Sequence, residues 1–327
     1  MLKNIKESYQ HSYFLYLKLI IAGIIIGFIV GIIDTIFGRG LLWIGDIRKE
    51  YLYYFVPFLA LAGLLIVFIY QKFAGKTGKG MGLIFEVGHG TEKEIPLRLI
   101  PIVTVATWIT HLFGGSAGRE GVAVQLGATL SHRFNKYFNF PDKSKVFLVT
   151  GMAAGFGGLF QTPIAALFFG LEVLALGNLQ LYALLPAIVA AFTASWTSSF
   201  LGLEKFTHIV NTTLLITPMT FVKFAILGII FGIAGNLFVY LQSFLKKFAS
   251  EKIKNPYYRI FIIGIFLSVI LLLLHKGRYT GLGTNLIENS FSGEQIFGYD
   301  WILKLLLTTL TLAAGFQGGE VTPLFSI

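Results

Sequence analysis

The chain carries its apolar residues in long blocks separated by short polar ones. The first strong block runs from about 16 to 36 and contains LIIAGIIIGFIVGIIDTIF; the second runs from about 53 to 73. A helix needs roughly 20 apolar residues to cross a hydrocarbon core of ~30 Å, so both blocks predict transmembrane helices. A basic, glycine-rich stretch, KFAGKTGKGMGLIFEVGHG, follows, and Pro96 is placed to open a third apolar run that reaches about Phe113, since proline is well tolerated in a first helical turn. Beyond it the pattern changes. The runs at about 114 to 130, 144 to 157 and 162 to 176 are shorter, broken by glycine and interrupted by ionisable residues, which predicts helices that end inside the membrane. Longer runs return at about 183 to 202, 220 to 247 and 257 to 275, and HKGRYTGLGTNLIENS is expected to be a polar loop before a last run at about 301 to 314.

Composition agrees with that pattern. Of the 327 residues, 55% are hydrophobic and 13% charged, a balance that an ordinary soluble surface does not carry. The expected fold class is an all-α polytopic membrane protein. The net charge of +10 does not point to nucleic acid. Lys3, Lys6, Lys72, Lys76, Lys79, Lys246 and Lys247 sit in short clusters between apolar runs, as in loops facing anionic lipid and the cytoplasm. The absence of cysteine excludes disulfides and thiolate metal sites, and the six histidines show no ligand spacing, so no metal or other cofactor is expected. No nucleophile with a base appears, and GKTGKGMG is a poor match to a phosphate-binding loop, so an enzyme is not expected. The polar start MLKNIKESYQHSY, with a long apolar block behind it, argues against a cleaved signal.

Two stretches carry candidate chemistry. GGSAGREGV at 114–122 and GFQGGEVTP at 315–323 each set glycines and one glutamate before an apolar helix start. They lie about 200 residues apart, which predicts two related halves, about 1–203 and about 218–327. Glycine permits close approach of the backbone, and a helix's first turn presents unpaired N–H groups with partial positive charge. Each motif is therefore a candidate anion cradle. Glu120 stands out there. Deprotonated, its carboxylate can occupy the cradle as a tethered anion; protonated, it can leave, which links anion occupancy to proton occupancy. A structural ion pair with Arg119 is the alternative.

GREGV at 118–122, GFGGLFQTPIAALFFGLE at 155–172 and GGEVTP at 318–323 resemble the three signature stretches of the CLC chloride channels and transporters, in the same order. The resemblance implies a CLC-type inverted-repeat fold with broken helices, assembled as a homodimer with one pore per subunit. It places Glu120 at the gating and proton-coupling position, and Gly80, Met81, Gly118, Arg119, Gly121, Val122, Glu320, Val321 and Thr322 around the anion. It also implies further helices after Ile327, so the C-terminal part is expected to be missing and the chain to be a fragment, a truncated form being the alternative.

The departures from the common pattern are informative. Met81 stands where most of the family has the serine of a Gly-Ser-Gly-Ile-Pro motif, Glu320 and Val321 alter the third motif, and Val173 takes the place of an inner glutamate. These resemble the branch that exchanges fluoride for protons, which implies fluoride export driven by the inward proton gradient. A chloride channel or chloride/proton exchanger of the same fold is the alternative. Glu320 and Thr322 are expected to form a second polar station; hydrogen bonding inside a helix for Thr322, and plain packing for Met81, are the other readings. Glu86, Glu92 and Glu94 are expected as solvated carboxylates near loop ends, and Glu172 in a structural or dimer-side role. The expected partners are fluoride or chloride, protons, membrane lipid and a second copy of the chain, in a bacterial inner membrane.

Overall fold

The structure is a computed structural model that describes residues 2–174, 179–208 and 217–327, with side chains from Tyr13 onward. The side chains of Lys3 and Lys6 and the end of the 162–176 run lie outside the described residues. Among those described, the chain forms α1 (Leu2–Glu50), α2 (Leu52–Phe55), α3 (Leu59–Ile69), α4 (Met81–Gly88), α5 (Leu99–Leu112), α6 (Glu120–His132) and α7 (Lys143–Phe160). It continues through α8 (Pro163–Val173), α9 (Leu184–Phe200), α10 (Pro218–Lys252), α11 (Pro256–Leu273), α12 (Thr284–Ser292), α13 (Asp300–Ala314) and α14 (Val321–Phe325). Among the described residues, five stretches are long and apolar enough to cross a membrane, Tyr13–Glu50, Leu52–Gly88, Leu181–Phe200, Pro218–Lys252 and Pro256–Leu273; α5 and α8 are shorter apolar helices.

Several expected boundaries move. α1 continues to Glu50 rather than ending near 36. The second block is interrupted at Val56–Phe58, a 3-10 turn, and widens into a π-helical turn at Tyr70–Ala74. Pro57 has no N–H to continue the ladder, and the neighbouring Val56 carbonyl accepts a hydrogen bond from Ser268 Oγ at 2.6 Å. Pro96 lies in the turn before α5, where its carbonyl accepts from Leu99 N at 3.0 Å. The stretches expected to be a glycine-rich connection and a polar loop contain α4 and α12. Helices this short show too few turns for a 3.6-residue period to be visible.

The chain folds as two compact units. The first comprises Met1–Leu42, Tyr70–Thr104 and Glu120–Phe206, and the second Trp43–Ile69, Val105–Arg119 and Thr207–Ile327. In the first, α7 packs on α6, α8 and α9, and Leu19, Ala22, Ile26 and Val30 of α1 share a core with Phe147, Ala154, Ala190 and Ala194. Its helices meet through small residues. Gly23, Gly27 and Gly31 line one face of α1 so closely against α9 that added Cβ atoms would lie 2.9 Å from Pro186 O, 2.5 Å from Ala190 O and 2.7 Å from Thr197 Cβ. Lipid gives apolar helices no hydrophobic reason to associate, so such close packing carries the attraction. Gly127 and Gly151 are tighter still: a Cβ on either would overlap the other's carbonyl.

In the second unit, α11 packs on α3, with Gly264 against Ala60, and α13 packs on α10 and α11. The N-terminal end of α13 is fixed by Asp300, whose carboxylate accepts from Arg278 Nη2 at 2.8 Å, Tyr279 OH at 2.6 Å and Phe297 N at 3.0 Å.

Gly151→Val is expected to lower stability by at least about 3 kcal/mol, because backbone faces the new methyls on a crossing that cannot open. Gly45, on α1 with nothing within 4 Å of a Cβ position, is the contrast, where alanine should be neutral or stabilising by up to about 1 kcal/mol. Thermal unfolding of the two variants in detergent checks both.

Candidate functional site

The glycine stretches of the two motifs, 114–118 and 315–319, occupy equivalent settings in the second unit. After α5, Gly114 takes φ +89°; after α13, Gly315 takes φ +113°. Glycine enters this left-handed region without the cost a side chain imposes, so each helix ends sharply and releases a short stretch of non-helical backbone. The two stretches then pair. Gly118 N donates to Gly319 O at 2.6 Å and Gly319 N to Gly118 O at 2.7 Å, the one isolated bridge among the described residues. Ser116 N donates to Thr311 Oγ1 at 3.3 Å and, reciprocally, Gln317 N donates to Thr110 Oγ1 at 3.1 Å. Each threonine also donates back one turn, Thr110 to Ala106 O at 3.0 Å and Thr311 to Leu307 O at 2.6 Å. The same residues serve the same roles on both sides, so a local twofold runs through the Gly118–Gly319 pair. Gly318 completes the approach: a Cβ there would lie 2.5 Å from Ala117 Cβ.

The first motif is also held from behind. Gly281 N donates to Gly115 O at 3.1 Å, and Ala117 N donates to Gly281 O at 3.2 Å. Three basic side chains surround the loop, all buried. Arg48 Nη1 donates to His111 O at 2.9 Å. The His111 ring lies with Nδ1 2.8 Å from Thr107 O and Nε2 3.0 Å from Ala117 O. Lys304 Nζ donates to Ser116 Oγ at 2.9 Å. Arg48, His111 and Lys304 were not among the residues expected from sequence, although an ionisable residue in or beside an apolar run is itself a signal.

Of the expected residues, Gly118 forms the bridge, Arg119 follows it buried, and Glu120, 1% exposed, is the first residue of α6. Gly121 and Val122 complete that first turn, with Val122 buried. In the first unit, Gly80 caps α4 at φ +55° and ψ −128°, and Met81 begins the helix, half-buried. The side chain of Gln125, one turn beyond Glu120 on α6, lies over this turn, its Oε1 3.6 Å from the Gly80 Cβ position. In the second unit, Glu320 is exposed, Val321 half-buried, and Thr322 buried with an Oγ1 that makes no hydrogen bond, so its hydroxyl is not spent inside a helix.

Two expected solvated carboxylates are paired. Glu86 accepts from Lys79 at 2.6 Å and Glu92 from Lys76 at 2.9 Å. The hydrogen bond from Lys76 holds the Glu92 carboxyl below the usual range. Both pairs tie the Gly75–Lys79 turn, which leads into Gly80, to residues of α4 and the loop after it. Glu172 is exposed near the end of α8.

With this geometry in place, likenesses to known proteins carry weight. The sequence profile of the family described as Voltage gated chloride channel matches residues 62–327. The chain is 34% identical over 276 residues to the Chloride/fluoride channel protein of Pseudomonas syringae pv. tomato, covering 82% of this chain and 61% of that protein. It thus spans about three fifths of that relative's length. Among solved structures, the crystal structure of a CLC-type fluoride/proton antiporter superposes with a TM-score of 0.93 at 47% identity, over 96% of this chain and 80% of that one. A slow cyanobacterial Cl-/H+ antiporter, at 21% identity and a TM-score of 0.77, covers 94% of this chain and 76% of its own and shares the fold.

The contact between the two motifs is testable by compensation. Gly318→Ala is expected to cost about 1–3 kcal/mol through overpacking on Ala117, and Ala117→Gly in the same protein to restore most of it. Thermal unfolding of the single and double variants measures the coupling.

Proposed function

This chain belongs to the voltage gated chloride channel family, and from that premise we propose that it exports fluoride from the cytoplasm in exchange for protons, with Glu120 as the proton-coupled gate. The carrying observation is Glu120 itself, a buried carboxylate on the first residue of a helix, two residues after the paired Gly118. The first-turn N–H groups of α6 attract an anion, and a carboxylate built into that turn competes for them. Protonation removes most of its claim. Proton and anion occupancy are then linked, and the inward proton gradient drives the anion outward.

Fluoride suits such a site. It is small, strongly hydrated and the base of a weak acid, so N–H donors can replace its water and a protonated carboxyl can donate to it. Support also comes from the family members: the relative at 34% identity carries both chloride and fluoride in its name, and the 47% identical structure is a fluoride/proton antiporter. Met81 in the Gly80 turn, and Glu320 with Thr322 as a second polar station, complete the proposed pathway with Gly118, Arg119, Gly121, Val122 and Val321. Two inverted halves, about 1–203 and about 218–327, a homodimer with one pore per subunit, and a bacterial inner membrane as the location belong to the same reading.

Reconstitution in liposomes tests it, with fluoride efflux and proton uptake recorded together and chloride as the control anion. The wild type is expected to take up protons as fluoride leaves, with fluoride preferred over chloride. Glu120→Gln should lose coupled transport by about two orders of magnitude, the scale on which a proton-transferring group acts. Chloride flux that needs no proton movement would favour the channel reading instead. In the same assay Glu320→Gln is expected to weaken coupling; unchanged coupling would remove Glu320 from the pathway.

A further inference from the structure

Lys304 is fully buried near the start of α13. Its Nζ lies 2.9 Å from Ser116 Oγ, 2.7 Å from Gly281 O and 3.3 Å from Tyr279 O. Three acceptors match the three N–H groups of an ammonium. All three are neutral, and among the described residues Lys304 makes no ion pair with a carboxylate. The acid on its own helix, Asp300, is already engaged by Arg278, Tyr279 and Phe297. Arg48 and His111, packed behind the loop, are basic, and the chain leaves the loop through Arg119 to the acid Glu120.

A buried cation without a counter-charge is costly, and inside a membrane protein it marks a site of function. The local twofold sharpens the point. Lys304 lies seven residues before Thr311, and the residue seven before Thr110 is Val103. The charge is thus present on one side of the pair only, attached to the loop that leads to Glu120. Ser116 is the attachment: its Oγ meets Lys304 on one side and Thr308 Oγ1, at 2.8 Å, on the other.

We infer that Lys304 is a determinant of anion affinity, a positioning residue that holds the 114–118 loop through Ser116 and whose missing counter-charge is supplied by the transported anion. The inference rests on reading this loop as part of the fluoride pathway. It differs from a purely structural role in what it predicts. A residue that only braces the loop is replaceable by a neutral donor of similar length, whereas a charge that favours the anion is not.

The test is the concentration dependence of fluoride efflux from liposomes for the wild type, Lys304→Gln and Lys304→Arg. Lys304→Gln is expected to raise KM for fluoride by about tenfold while changing the maximal rate less, the pattern of lost anion binding. Lys304→Arg, which keeps the charge, should stay within about threefold of the wild type. A wild-type KM in Lys304→Gln overturns the inference. Should that variant fail to fold, Ser116→Ala keeps the charge and cuts its link to the loop; a raised KM supports the role, and an unchanged one overturns it. Should the wild type carry chloride without protons, the antiport reading fails separately, and the same comparison is made on the KM for chloride.

Discussion

Inside a membrane protein, a peptide group that is not in a helix has no water to bond with, and two stretches of such backbone here solve the problem for each other. Gly118 and Gly319 exchange both of their hydrogen bonds, and the flanking Ser116 and Gln317 amides are taken up by threonines of the opposite helix ends. Broken helices are tolerated at membrane depth only under such conditions. Everything proposed for the anion depends on it, because the glycine loops can present N–H groups only while their remaining polar atoms are satisfied. The threonines do two jobs at once, donating to their own helix and accepting from the facing loop.

The electrostatics follow from the same arrangement. A loop of bare backbone attracts an anion through partial charges, and within the second unit Lys304 adds a basic group bonded to the loop at Ser116. On the proposed reading, an acid that can give up its place in the cradle would link the charge of the pathway to protons and anions together. This is the physical content of coupling, a free energy shared between two ligands rather than a property of either.

Much of this was legible in the chain. The apolar blocks announced membrane helices, and glycines before a helix start announced sharp breaks in the backbone at Gly114 and Gly315, because both signals are local: length against bilayer thickness, and residue type against backbone geometry. The resemblance to the family rested on GREGV, GFGGLFQTPIAALFFGLE and GGEVTP, and the structure pairs the first with the third through Gly118 and Gly319. The helix ends were less legible. α1 runs past residue 36 to Glu50, and α4 and α12 form where a connection and a loop were expected.

The sequence by itself determined the solvent, the long apolar helices and the glycine breaks between the shorter ones, because each follows from hydrophobicity and backbone freedom within a few turns of chain. Only the tertiary structure decided that Thr110 and Thr311 serve each other's loops, that Gly318 must lack a side chain because Ala117 lies against it, and that Lys304 reaches Ser116. Those contacts join residues far apart in the chain. Their free energy comes from buried polar groups finding partners, and no local pattern encodes which partner folding will supply.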